Sequence, residues 1–154
     1  MLEFKKILFP VDMSKVSPKL VEFALTMAQR FSAELHVINV TRPLLAQSPG
    51  LAFSSEEIKQ IRERYYSKAA EQLDEFVQTH LGGYAPLKTA HLRGDPAEGI
   101  LRYIKDNGIS LVVMGTHGRK GLDKILFGSV AQRVVQMSPA PVLTINPHRW
   151  REPA

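Results

Sequence analysis

The chain has 154 residues, 44% hydrophobic and 23% charged, with a formal net charge of +5 at pH 7. This is ordinary for one soluble domain able to bury roughly two-thirds of its unfolded surface. No apolar run reaches the ~20 residues that span a bilayer, and the N-terminus lacks the long apolar region of a secretory signal. Zero cysteines exclude disulfides and thiolate ligands, so a cytoplasmic protein is the expectation.

Lys6-Ile7-Leu8-Phe9-Pro10-Val11 reads as a first strand closed by Asp12. Its near-continuous apolarity places it centrally, and Pro10, which cannot donate to a ladder, marks its end. Ser17-Pro18 reads as the N-cap and first-turn proline of a helix with Leu20, Phe23, Ala24, Met27, Ala28 and Phe31 at helical spacing. A second strand covers residues 35–40. Residues 41–54 form a long connection punctuated by proline and glycine, either a surface excursion or a lid or interface segment. Ser54-x-x-Glu57 resembles a capping box. The helix it opens carries Ile58, Ile61, Tyr65, Ala69, Leu73 and Phe76 on one stripe and ends at Gly82-Gly83.

A third strand spans 87–92, and its polar alternation suits a sheet edge. Asp95-Pro96-Ala97-Glu98 supplies an N-cap, a first-turn proline and a third-position glutamate for a helix that stops near Asn107-Gly108. Strand four covers 111–114, the last helix about 129–137, and strand five 142–145. The expected domain is 1–147, followed by a short, basic, mobile tail over 148–154.

The alternation of strands and helices, with right-handed crossovers, predicts a three-layer α/β/α fold. Its sheet is doubly wound, parallel and five-stranded, in the order 3-2-1-4-5. That order sets strands one and four side by side where the winding reverses. Asp12 and Gly115 then meet in the crevice where such sheets bind ligands.

Gly115-Thr116-His117-Gly118 follows strand four directly, and Gly128-Ser129 opens the last helix. A glycine-rich loop ending at a helix N-terminus brings backbone N–H groups against phosphate oxygens. Gly115 and Gly118 are expected to take positive φ and admit a ligand close to the backbone, unless they serve as turn formers alone. Ser129 is expected to cap the helix with Gln132, a role compatible with contacting phosphate.

Asp12 suits a ribose hydroxyl, an adenine amino group or a Mg²⁺-bridged phosphate, or else bonds nearby turn amides. Val40 either touches a base or belongs to the core. Arg119, Lys120 and Lys124 are candidate countercharges on a loop that is otherwise a solvated face. His117 either meets phosphate or orders its loop. His36 and His91 read as satisfied strand residues rather than metal ligands. No G-x-x-x-x-G-K-[ST] loop, G-x-G-x-x-G fingerprint, G-x-S-x-G elbow or H-E-x-x-H pair occurs. No lysine and arginine stripe with interleaved aromatics points to nucleic acid. The pattern is that of a chain that holds a nucleotide rather than processing one quickly.

Three stretches, Met114 to Arg119, Gly128 to Ala131 and Pro139 to Leu143, together with Ile7 to Asp12 and Gly94-Asp95-Pro96, closely resemble the universal stress protein family. The resemblance covers essentially the whole chain, and G-x2-G-x9-G-[ST] is the motif of its ATP-binding branch. It implies a Rossmann-like sheet of the HUP type. Asp12 and Val40 would contact adenosine, and Gly115, Gly118, Gly128, Ser129 and Val130 would surround ribose and phosphates. Pro10, Met114 and Arg119 complete the implied nucleotide site, with ATP as ligand, Mg²⁺ accompanying it, and no metal held by the protein alone. The resemblance further implies a homodimer, often paired through the last strand. A regulatory, stress-response role is expected. The alternative is slow ATP hydrolysis, for which Asp12, Asp95 and His117 are the candidate groups.

Overall fold

The structure is a computed structural model and describes residues 1–44, 54–117 and 127–152. Gly118, Arg119, Lys120, Lys124 and most of the 41–54 connection lie outside the described residues.

The strands are β1 (Lys6–Pro10), β2 (Glu34–Thr41), β3 (Leu87–Arg93), β4 (Leu111–Gly115) and β5 (Val142–Ile145). All pair in parallel, in the order β3-β2-β1-β4-β5. The expected order holds, and β3 is an edge strand. Alternate residues of the central strands feed two cores. Ile7, Phe9, Val11, Leu35, Val37, Leu111 and Val113 face α1 (Val21–Phe31) and α2 (Ser55–Leu81). Leu8, Ile38, Val112 and Met114 face α3 (Pro96–Asn107) and α4 (Ser129–Met137). Strands buried on both faces are apolar nearly throughout, which is how the sequence marks them.

Pro10 has a specific consequence. Val11 N donates to Ile38 O at 2.8 Å, so odd-numbered residues of β1 direct their amides to β2 and even-numbered ones toward β4. The missing N–H of Pro10 therefore falls on the β4 side. There the ladder stops at Leu8↔Val112, while pairing with β2 continues to Pro10↔Ile38. The sheet parts between β1 and β4 at their carboxyl ends.

Two local expectations are corrected. Ser17 does not cap α1. A 3-10 turn, Ser17–Leu20, precedes that helix, and the buried Ser17 hydroxyl donates to Asp12 Oδ1 at 3.0 Å. The apolar stripe of α2 is also shifted. Leu73 and Phe76 are buried, but Ile61 and Tyr65 are 41% and 38% exposed, and Tyr66 is the buried tyrosine. A 27-residue helix runs about 40 Å, whereas the eight residues of β2 run about 26 Å, so the first turns of α2 overhang the sheet. The capping box at its start forms as expected, with Ser54 Oγ accepting from Glu57 N and the Glu57 carboxylate from Ser54 N. At the start of the tail, His148 N and Trp150 N donate to Asn146, and the Trp150 ring stands edge-on to Phe23 of α1, 5.0 Å between centroids.

Candidate functional site

A cleft of about 720 Å³ opens at the carboxyl ends of β1, β2 and β4. Of the residues singled out in the sequence, Pro10, Asp12, Val40, Met114, Gly115, Gly128, Ser129 and Val130 line it, and so does His117. Gly118 and Arg119 lie outside the described residues.

The turn after β1 shapes one side. Asp12 Oδ1 accepts from Ser14 N and Ser17 Oγ, both at 3.0 Å, so the aspartate braces the chain where it reverses. Met13 sits between them at φ 60°, a left-handed conformation that an L side chain holds only when its surroundings insist.

The glycines act differently from expectation. Gly115 ends β4 in extended backbone, and among the described residues positive-φ glycines occur at Gly94 and Gly108. A methyl group on Gly115 would stand 2.8 Å from Leu20 Cδ1 and 3.2 Å from the His117 carbonyl oxygen. One on Gly128 would stand 3.2 Å from the Thr116 carbonyl oxygen, which Gly128 N already reaches at 2.6 Å. The missing side chain of Gly115 thus makes room for Leu20 and the His117 carbonyl, and that of Gly128 lets Thr116 and His117 lie against the start of α4.

Gly128, not Ser129, is the N-cap of α4, because its carbonyl accepts the first helical bond, from Gln132 N at 3.0 Å. Gly128 has no side chain with which to cap that terminus, none is seen to do so among the described residues, and Ser129 is exposed at the first helical position. His117 is buried. Its Nδ1 is 2.8 Å from Thr116 Oγ1, and its ring faces His148 of the tail edge-on at 6.0 Å.

Other cleft residues were not singled out as ligands in the sequence. Asn39, a polar interruption late in β2, is buried and donates to Val11 O at 2.8 Å. Thr41 Oγ1 donates to Asn39 Oδ1 and lies 2.8 Å from His91 Nε2. Burial and the neighbouring Arg93 push the His91 pKa down. Arg42 leaves the end of β2, and Tyr65, Lys68 and Gln72 of α2 form the opposite wall. Gly99 lies beneath Val40: a methyl group there would come within 2.9 Å of Val40 Cγ1. Its signal was a glycine inside an amphipathic helix, the mark of close packing.

His36 does lie among strand partners, as expected. Its Nδ1 is 2.9 Å from Tyr103 Oη and its Nε2 is 2.7 Å from Glu34 Oε1, the latter in ion-pair rather than hydrogen-bond alignment. Burial lowers the His36 pKa against the pull of Glu34, and Lys88, 2.9 Å from the same oxygen, leads in lowering that of Glu34. Among the described residues no group of three histidine, aspartate or glutamate side chains is placed to hold a metal.

A sequence model of the universal stress protein family matches residues 3–146. The chain belongs to that family. Universal stress protein YxiE of Bacillus subtilis is 30% identical over 147 residues, covering 93% of this chain and 99% of its own. The structure of universal stress protein UspA from Lactobacillus plantarum matches with a TM-score of 0.78 at 26% identity, over 95% of this chain and all of that one. A universal stress protein solved in complex with cAMP shares the fold, with a TM-score of 0.59 at 18% identity over 95% and 99% of the two chains. In this universal stress protein no helix among the described residues is long and apolar enough to cross a membrane.

Proposed function

We propose that the cleft binds an adenine nucleotide, with ATP the preferred candidate, and that the protein acts as a nucleotide-dependent regulator in stress responses. One observation carries this. The N-terminus of α4 opens into the cleft on Gly128 with no side-chain cap among the described residues, and its backbone N–H groups and the positive end of the helix dipole suit an anion. Ser129 and Val130 provide the following amides, and the Ser129 hydroxyl can donate beside them. Val40 and Met114 supply apolar surface for a base, and Pro10 and Asp12 lie at the adenosine end, where a carboxylate suits a ribose hydroxyl or an amino group. By their motif positions Gly118 and Arg119 complete the phosphate end. Mg²⁺ enters with the phosphates of ATP. The cAMP-bound family member agrees in ligand class.

Hydrolysis has less support. Asp12 is held by Ser14 and Ser17, Asp95 by Glu98 N and two arginines, and His117 lies against Thr116 and His148. Assembly into a homodimer belongs to the same proposal, since β5 is an outermost strand and Val135 and Met137 of α4 are exposed nearby in sequence. Sedimentation as a monomer at high concentration would remove it. Titration calorimetry with Mg·ATP tests the binding itself: we expect saturable heat at one site per chain, and no heat at millimolar ATP would contradict it.

A further inference from the structure

Where β2, α3 and α4 meet at the rim of the cleft, one carboxylate serves two guanidinium groups. Asp95, the N-cap of α3, accepts from Glu98 N at 3.0 Å and Arg133 Nη1 at 2.9 Å through Oδ1, and from Arg42 Nη1 at 3.1 Å through Oδ2. The Glu98 amide leads in lowering the Asp95 pKa, with Arg133 and Arg42 adding to it. Arg133 also approaches Glu98, 3.7 Å away.

The two arginines are not equivalent. Arg133 is fixed on α4 between two carboxylates. Arg42 belongs to the cleft lining, directly follows the last residue of β2, and has a side chain 59% exposed. Were Arg42 to leave, Asp95 would keep Arg133 and the helix amide, so its charge would stay compensated. An exposed ion pair costs little to exchange. A phosphate offers the planar fork of arginine a denser negative charge than a carboxylate does, in the same two-pronged geometry.

We propose, building on the adenylate reading of the cleft, that Arg42 passes between Asp95 and the phosphates of a bound nucleotide. This makes Arg42 a specificity residue that ranks adenine ligands by their phosphate charge. Arg42 then contributes to binding ATP and nothing to binding adenosine. Asp95 competes for it, so weakening Asp95 strengthens the hold on phosphate. A plain tether between β2 and α3 would behave otherwise, since loosening it from either side would disturb the same rim in the same direction.

Calorimetric titration of ATP and of adenosine into wild-type protein, Arg42→Gln and Asp95→Asn decides the matter, with asparagine keeping the helix cap. Arg42→Gln is expected to bind ATP roughly tenfold more weakly and adenosine unchanged. Asp95→Asn is expected to bind ATP a few-fold more tightly. An ATP-to-adenosine ratio in Arg42→Gln equal to wild type, or weaker ATP binding by Asp95→Asn, would overturn the role of Arg42 alone. Wild-type protein that bound neither ligand would overturn the adenylate reading and this role with it.

Discussion

Polar side chains enter the strands at both ends of β2, and the two ends use them differently. Toward the amino end, His36, Glu34, Lys88 and Tyr103 face one another at 2.7 to 2.9 Å, and His36 is fully buried. There the groups contact one another, although His36 Nε2 and Glu34 Oε1 meet without hydrogen-bond alignment. Toward the carboxyl end, Asn39, Thr41 and His91 also satisfy one another, yet they stand beside a cleft of about 720 Å³. The difference lies in the backbone. Where β1 and β4 remain paired, side chains close the layer. Beyond Leu8↔Val112 the strands part, and Pro10 has no amide with which to rejoin them. The polar end of β2 borders the site where the neighbouring β1–β4 ladder has stopped, although β2 itself stays paired with β3 to Thr41↔Arg93.

One substitution at each end sharpens that contrast. His36→Gln should have the larger effect on stability, about 1–3 kcal/mol, through lost ring packing and an imperfectly replaced network. It should leave ligand affinity at the other end untouched. The pH dependence carries its own sign. Burial holds the folded His36 pKa below its unfolded value of about 6.5. The unfolded chain therefore takes up the proton first, so the contribution of His36 is complete above about pH 6.5 and is lost as pH falls through its lower folded value. Urea melts between pH 7.5 and 5.5 should show wild-type stability falling on acidification, and a shallower fall in His36→Gln. Some slope should persist from His91, whose pKa burial also lowers. An unaltered slope would show that His36 is not the titrating group.

Gly99→Ala should do the reverse, changing stability by less than about 1 kcal/mol, since the gain in helix propensity offsets the crowding. The new methyl group would press on Val40 from 2.9 Å and reshape the cleft wall. Adenosine binding should weaken several-fold, and unchanged affinity in calorimetry would mean that Val40 does not meet the base.

Much of this was legible in the residues. Unbroken apolar runs and the punctuation at Asp95-Pro96 and Gly108 depend on backbone physics acting over a few residues, and they located the elements and their order. What escaped was decided by distant partners. Ser17 looked like a cap because Pro18 follows it, but the Asp12 carboxylate claims its hydroxyl. Tyr66 rather than Tyr65 turns to the core, and Tyr65 faces the cleft instead. Gly128 does open α4, as its N-cap, whereas Gly115 stays in extended backbone where a positive φ was expected, because a side chain there would meet Leu20 and the His117 carbonyl. Arg42 gave no local signal, since its meaning depends on an aspartate 53 positions away.

The central claim is that the carboxyl end of the sheet takes an adenine nucleotide and the amino end does not. Following the backbone amides of isotope-labelled protein by NMR while adding Mg·ATP tests it most directly. Saturable shifts should appear at Val40, Gly128, Ser129 and Val130, while His36 and Tyr103 stay in place. Silence at those four amides under millimolar ATP, or shifts centred on His36 and Tyr103, would contradict it.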